Sequence, residues 1–173
     1  MSVFEPQLTP ISEGHVAALL RFERGNGDYF AEFVPKRPLR MLTDEGMAEA
    51  VNILCEEART GRGAYYVVFD GDDIVARLNL VYDGERADLG YRVAQSHAGQ
   101  GVATAMVRQA LEKLRDDGFD VATAHALSSN PASIRVLEKC GFGVSRIDQD
   151  GGAAFGFEGD IVHLEQMLIV EPV

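Results

Sequence analysis

The sequence is poor in cysteine, in basic charge and in long apolar runs, and each shortage excludes a class of protein. Its two cysteines, Cys55 and Cys140, stand far apart with no CxxC pair or Cys/His set around them. A disulfide framework and a zinc ribbon are therefore excluded; both thiols are read as reduced, and no metal is expected. Lys and Arg number 16 against 27 Asp and Glu, for a formal net charge of -11. Nonspecific binding to nucleic acid needs clustered cations and is not expected. Such a charge attracts cationic partners, an amine or a basic peptide among them. No stretch is long and apolar enough to span a bilayer, so no membrane partner is expected. Residues 1–9 carry Glu5 and Pro6 where a secretory leader would have a basic start and an apolar run, and a cytoplasmic location is expected.

What is present is an ordinary globular balance, 46% apolar and 25% charged over 173 residues. That is enough chain for one domain over 1–173 with a proper core. Ser12 is placed to cap a helix running to about Arg24, with Val16, Ala17, Leu19, Leu20 and Phe22 on its buried side. Residues 25–40 read as irregular, with Tyr29, Phe30 and Phe33 ahead of the basic, proline-broken run Pro35-Lys36-Arg37-Pro38. Thr43 opens a second amphipathic helix that ends near Gly61. Strands are expected over 64–69, 74–82 and 87–93, the first two joined at Asp70-Gly71-Asp72-Asp73. Val102, Met106, Val107, Ala110, Leu111 and Leu114 recur at helical spacing, and Gly118 ends that helix. A strand over 119–127, a helix from Pro131 to Cys140, and strands over 144–147 and 161–170 follow. The order β-α-α-β-β-β-α-β-α-β-β implies an α/β class fold, a mixed sheet with helices on both faces.

The turn Gly99-Gln100-Gly101-Val102-Ala103 lies between a strand and a helix. Free N–H groups at a helix start converge on one point, and the helix dipole adds positive potential there, so this is an anion cradle. Alone the string is weak, since glycines before a helix are more often just a turn. No Lys-Ser or Lys-Thr pair follows them, which excludes a P-loop. Thr104 stands where the third glycine of a dinucleotide fingerprint belongs.

One strand later comes Asn130-Pro131-Ala132-Ser133-Ile134-Arg135-Val136-Leu137-Glu138-Lys139-Cys140-Gly141-Phe142. A Gly-rich turn followed by N-x-x-S…L-E-K-x-G-F makes residues 89–142 resemble the GNAT superfamily, in its RimJ/RimL-like branch. The resemblance implies an acetyl-CoA-dependent N-acetyltransferase in which an amine attacks the thioester directly within a ternary complex. The acceptor it implies first is the N-terminal α-amine of a protein. A small amine (polyamine, amino acid or aminoglycoside) and a noncatalytic acyl-CoA-binding module are the alternatives. Homodimers are frequent among such proteins, but no segment here identifies an interface.

Residue by residue, the resemblance assigns the CoA pyrophosphate to Gly99, Gln100, Gly101, Val102, Ala103 and Thr104, and the pantetheine arm to Tyr91, Arg92, Val93 and Asn130. Asn130 reads equally as a plain helix cap. Ser133 matches the residue that hydrogen-bonds or protonates the CoA sulfur, and reads equally as a solvated or capping serine; Leu137 stands where many relatives carry a tyrosine for that role. The backbone N–H near Val93, freed by a bulge, is the implied oxyanion donor. His125 falls where some relatives carry a catalytic glutamate, and its unperturbed pKa suits a general base; the other reading is a half-buried structural histidine. Asp88 shares a strand face with Arg92 and is a candidate for the acceptor ammonium or an alternative base. Tyr29, Phe30 and Phe33, with Lys36 and Arg37, are placed near the acceptor. The remaining histidines, His15, His97 and His163, are expected at the surface. Ala98 departs from the Gln or Arg usual at its position, which removes one polar contact to phosphate.

Overall fold

A computed structural model describes residues 4–169. Its centre is a seven-stranded sheet in the order β1-β2-β3-β4-β5-β7-β6, built from β1 (Thr9–Pro10), β2 (Gly63–Asp70), β3 (Asp73–Asp83), β4 (Arg86–Val93), β5 (Val121–Leu127), β6 (Gly143–Asp148) and β7 (Ile161–Met167). Neighbouring strands run antiparallel except β4 and β5, which are parallel. The helices are α1 (Val16–Gly25), α2 (Gly27–Phe30), α3 (Asp44–Arg59), α4 (Val102–Asp116) and α5 (Pro131–Lys139). The expected mixed α/β order is what forms. Among the described residues no helix is long and apolar enough to cross a membrane.

Strand alternation sorts the helices between two faces. Leu78, Leu80, Ala87 and Leu89 point to one face, where α4 buries Met106, Val107, Ala110, Leu111 and Leu114 against them. Tyr65 and Val67 point to the other, which α1 and α3 cover with Leu19, Leu20, Phe22, Met47 and Val51. Each leucine fully buried here contributes roughly 1.5–3 kcal/mol. Local chemistry sets the helix starts: Thr43 Oγ1 accepts from Gly46 N at 3.1 Å, and Asn130 Oδ1 accepts from Ser133 N at 3.2 Å, with Pro131 in the first turn.

Several expectations change. The helix expected from Ser12 begins as a 3-10 turn over Glu13–His15, and only then becomes α1. Residues 25–40, expected to be irregular, contain the single turn α2. The strand expected over 119–127 begins at Val121. The strand expected to reach Val170 ends at Met167, and Val170 lies outside the described residues. Most consequential is β4, where a bulge was expected: it holds unbroken register on β3 from Arg86↔Asp83 to Val93↔Ala76. Irregular register falls instead at Val68/Phe69 and Val144/Arg146.

The sheet opens at one place. Parallel pairing of β4 with β5 runs only from Arg86↔Val121 to Asp88↔Thr123. Beyond it β5 continues on β7 as far as Leu127↔Ile161, while β4 continues on β3 alone. A cleft therefore separates the last residues of the two parallel strands.

Candidate active site

The cleft holds a cavity of about 730 Å3, walled by Gly90 to Val93 of β4 and by Ala124 to Leu127 of β5. Its two sides differ, because consecutive residues of β4 face opposite ways.

On the α4 side, the backbone between β4 and α4 turns through Gly99 and Gly101, with φ of 72° and 81°. A Cβ on either would meet nothing within 4 Å, so the left-handed backbone, not crowding, requires glycine there. Ala98, Gly99 and Gly101 through Thr104 line the cavity, with the first amides of α4 at its edge. These features fit a diphosphate: donors without side chains, at the positive end of a helix of ordinary length. The Gln100 side chain is not part of that wall. Its Nε2 donates to Ser96 O at 2.9 Å, which leaves the backbone amide as what Gln100 offers an anion.

Next along this side are Tyr91 and Ser133, both lining the cavity, their hydroxyl oxygens 2.9 Å apart. Burial pushes the Tyr91 phenol up to about 12, against the opposing pull of its bond to Ser133, so it stays protonated at neutral pH. Leu137 is buried behind them. A tyrosine hydroxyl thus reaches Ser133 from β4, although the tyrosine position on α5 is Leu137. Asn130 lines the cavity while capping α5; its two readings describe one geometry.

Backbone alternation explains the free donor near Val93. Ala94 N–H donates to Val75 O at 2.8 Å, which makes that pair a hydrogen-bonded one in the antiparallel ladder. Tyr91 and Val93 then turn their N–H groups the other way, toward β5. There β5 has moved off. Strand divergence, and not a bulge, is what leaves the Val93 amide facing the cleft.

On the α1–α2 side stand Gly90, Arg92, Arg77 and Asn79, with Tyr29, Phe30, Phe33, Val34 and Arg37 opposite them. Glu23, 2% exposed, lies at the centre of an ionic cluster. It accepts from Arg77 Nη1 at 3.0 Å, Arg92 Nη1 at 3.1 Å and Arg37 Nη2 at 3.2 Å. Burial alone would raise the Glu23 carboxyl, but Arg37, Arg92 and Arg77 together hold it below its usual value. Burial, with Arg37 alongside, brings Arg92 down to about 10, still a cation at neutral pH. The Arg92 guanidinium also lies 5.3 Å from the centroid of the Phe30 ring. The Arg92 side chain is therefore on the side of β4 opposite Tyr91, as strand alternation demands, which leaves only its backbone for the pantetheine arm. Asp88 does share this face, where it accepts from Thr123 Oγ1 at 2.9 Å, but it lies outside the cavity wall.

His125 extends from β5 on this same side, exposed and lining the cavity, with its ring centroid 6.0 Å from that of His163. The half-buried, hydrogen-bonded histidine considered above is not what forms. The other histidines have partners. His163 Nε2 is 2.9 Å from Asp148 Oδ2, His97 Nε2 is 2.9 Å from Asp70 Oδ2, and His15 Nδ1 accepts from Ser12 N at 3.1 Å. His97 also lines the cavity, while Lys36 does not. Sequence reading missed Glu23, Arg77, Asn79, Phe155 and Phe157 in or behind these walls. The one signal for the ionic pair was a charge on the buried side of an amphipathic helix and another inside an apolar strand.

Comparison with known proteins follows this geometry. The sequence profile described as the acetyltransferase (GNAT) domain matches residues 7–143. A search of curated protein sequences finds no match. Among solved structures, a ribosomal-protein-S5-alanine acetyltransferase from Vibrio fischeri superposes with a TM-score of 0.90 at 17% identity, covering 100% of this chain and 98% of that one. RimL, a ribosomal L7/L12 α-N-protein acetyltransferase in complex with coenzyme A, superposes at 0.86 and 18% identity, covering 96% of each chain. The spermidine N-acetyltransferase SpeG of Vibrio cholerae gives 0.74 at 15%, covering 94% of this chain and 95% of that one. A diverging pair of parallel strands beside a glycine-rich helix start, and a profile spanning most of the chain, lead to one conclusion: the protein belongs to the GNAT acetyltransferase family, as an acetyl-CoA-dependent N-acetyltransferase.

Proposed function

We propose that this enzyme acetylates the N-terminal α-amine of a protein in the cytoplasm. The observation that carries the reading is the two-sided cleft between β4 and β5. One side offers hydroxyls and backbone amides, the other an exposed histidine, and the Val93 amide lies between them. Acetyl-CoA as cosubstrate takes the α4 side, its diphosphate on the amides of Gly99 to Thr104 and its arm along Tyr91 and Val93. The acceptor enters from the α1–α2 side, past Tyr29 and Phe33.

In the reaction, the amine lone pair forms a bond to the thioester carbonyl carbon, and the oxygen takes up negative charge facing the Val93 N–H. The amine proton passes to His125, directly or through one water. The carbon–sulfur bond then breaks, the departing thiolate takes the Ser133 hydroxyl proton, and solvent water restores that proton to the serine while His125 releases its own to solvent. Full-length likeness to acetyltransferases of ribosomal proteins S5 and L7/L12 supports the acceptor class.

The test is release of free CoA from acetyl-CoA with N-terminal peptides, polyamines, amino acids and aminoglycosides. Turnover confined to small amines would remove the protein acceptor. Saturable acetyl-CoA binding with no turnover of any amine would leave a binding module. His125→Ala should lower kcat about 100-fold or more while leaving acetyl-CoA affinity unchanged. An unaltered pH–rate profile in that variant would take His125 out of the mechanism.

A further inference from the structure

The acceptor side of the cleft carries more positive charge than the protein itself neutralises. Three guanidiniums, those of Arg37, Arg77 and Arg92, share the single carboxylate of Glu23, which leaves +2 in a wall where Arg77 and Glu23 are almost wholly buried. This stands against a molecule of net charge -11, so overall composition does not account for it. Each guanidinium carries five N–H donors. Among the described residues, Arg37 spends one on Glu23 and Arg92 one on Glu23, while Arg77 bonds Glu23 and Asn79 Oδ1. The Arg37 and Arg92 side chains are partly exposed, at 26% and 18%, so their unspent donors are not sealed inside the protein. All three arginines line the cavity.

Their placement assigns them to the acceptor. The cofactor side of β4 is the side of Tyr91 and the glycine turn; Arg92 points the opposite way and sits directly across from Arg77 in the register of β3 and β4. Arg92 is also the neighbour of Val93, whose amide faces the reacting carbonyl. An anion held between Arg92 and Arg37 is therefore only a few bonds from the attacking amine. Gly90 lies beside Arg92 on this side, and a Cβ there would meet nothing within 4 Å, so the approach is open. Planar, bidentate capture of a carboxylate is what such a pair does best.

We infer that the arginine cluster is an anion subsite that selects acceptors carrying a carboxylate close to the amine, in the first instance peptides with Asp or Glu at the first or second residue. This rests on the acceptor side proposed above and names its substrate class. The same field repels a polyamine, whose charges are all positive.

The experiment measures kcat/KM for peptides differing only in Asp, Asn or Lys at the first and second residues, with free aspartate, its diamide and spermidine alongside. Wild type and Arg37→Gln are compared; Arg37 is the least buried member, and the thermal transition of the variant checks that it folds. Arg37→Lys serves as a second variant that keeps the charge without the fork. The expected result is about a 10- to 100-fold preference for the carboxylate over its amide. It should arise chiefly in KM, be lost in Arg37→Gln and be partly kept in Arg37→Lys. Equal rates for acid and amide, a preference that survives Arg37→Gln, spermidine as the best acceptor, or no turnover of any carboxylate-bearing acceptor would each overturn it. Turnover of free aspartate over its diamide, with no peptide used, would keep the subsite while removing the protein N-terminus.

Discussion

The two sides of one cleft are built from different chemistry. Toward α4 and α5 the wall is backbone amides and hydroxyls, with no formal charge in Gly99 to Thr104, Tyr91, Asn130 or Ser133, and with the cations Arg135 and Lys139 further along α5. Toward α1 and α2 it is guanidiniums, a carboxylate and aromatic rings. The difference follows from what each side must do. A diphosphate can be held by groups that every residue carries, provided the chain turns correctly, so the burden falls on φ angles. An acceptor must be told from others of similar size, and that requires side chains with charge and shape. The first side is a property of local conformation; the second is a property of the assembled fold.

The sharpest way to break the contrast is to put a negative charge into the uncharged glycine turn. Gly101→Asp should reduce acetyl-CoA affinity roughly 100-fold or more, because a carboxylate would oppose the diphosphate. Asp and Asn both tolerate a left-handed φ, so Gly101→Asn separates charge from backbone strain and should retain most of the binding. Calorimetric titration of both variants reads this directly; equal loss in the two would mean that conformation alone matters.

The complementary change removes charge where it is buried. Glu23→Gln leaves three guanidiniums without their anion and should cost about 3–5 kcal/mol of stability, measured by urea unfolding. The pH dependence has a definite sign. Because the Glu23 carboxyl is held below its usual value, its contribution is present above the ordinary carboxylate range and is lost as pH falls through the depressed value. Wild type should therefore lose more stability than Glu23→Gln on acidification. A parallel fall in both would show that Glu23 carries no such linkage.

The same contrast decides what could be read in advance. Residues 99–104 and 130–133 are contiguous, and their chemistry belongs to backbone and caps, so the cofactor side was legible as a string. The cluster of residues 23, 37, 77 and 92 comes from α1, the segment after α2, β3 and β4, and nothing local links them. Arg37 was noticed only as half of a basic pair, of which Lys36 turned out to lie away from the cavity. Arg92 and Asp88 were correctly placed on one face, yet which ligand that face meets depends on where the helices pack. The Val93 amide was expected from a bulge and is freed by divergence; no pattern in β4 itself encodes where its neighbour stops pairing. The succession of strands and helices along the chain was legible because apolar periodicity is a regional signal.

Blocking one side without the other comes next in size. Gly90 lines the proposed acceptor side, is not in the left-handed region and has open space before it, so a larger residue is tolerated by the fold. Gly90→Val should raise the acceptor KM about 10-fold and leave that for acetyl-CoA unchanged. Equal effects on both would show that the two sides are not separate paths.

The smallest effect tests the hydroxyl pair on the α4 side. If the Tyr91 hydroxyl donates to Ser133 Oγ across their 2.9 Å contact, the serine proton is turned away from the tyrosine and toward the cavity. The tyrosine then orients the donor and need not give up its own proton, which its raised pKa of about 12 discourages. Tyr91→Phe deletes one hydrogen bond worth about 0.5–1.5 kcal/mol and should lower kcat about 3- to 10-fold with acetyl-CoA KM unchanged. Ser133→Ala removes the donor itself and should cost more. Adding Tyr91→Phe to Ser133→Ala should then cost nothing further, since the tyrosine would have no proton left to orient. Additive losses in that double variant would mean that Tyr91 reaches the sulfur on its own account.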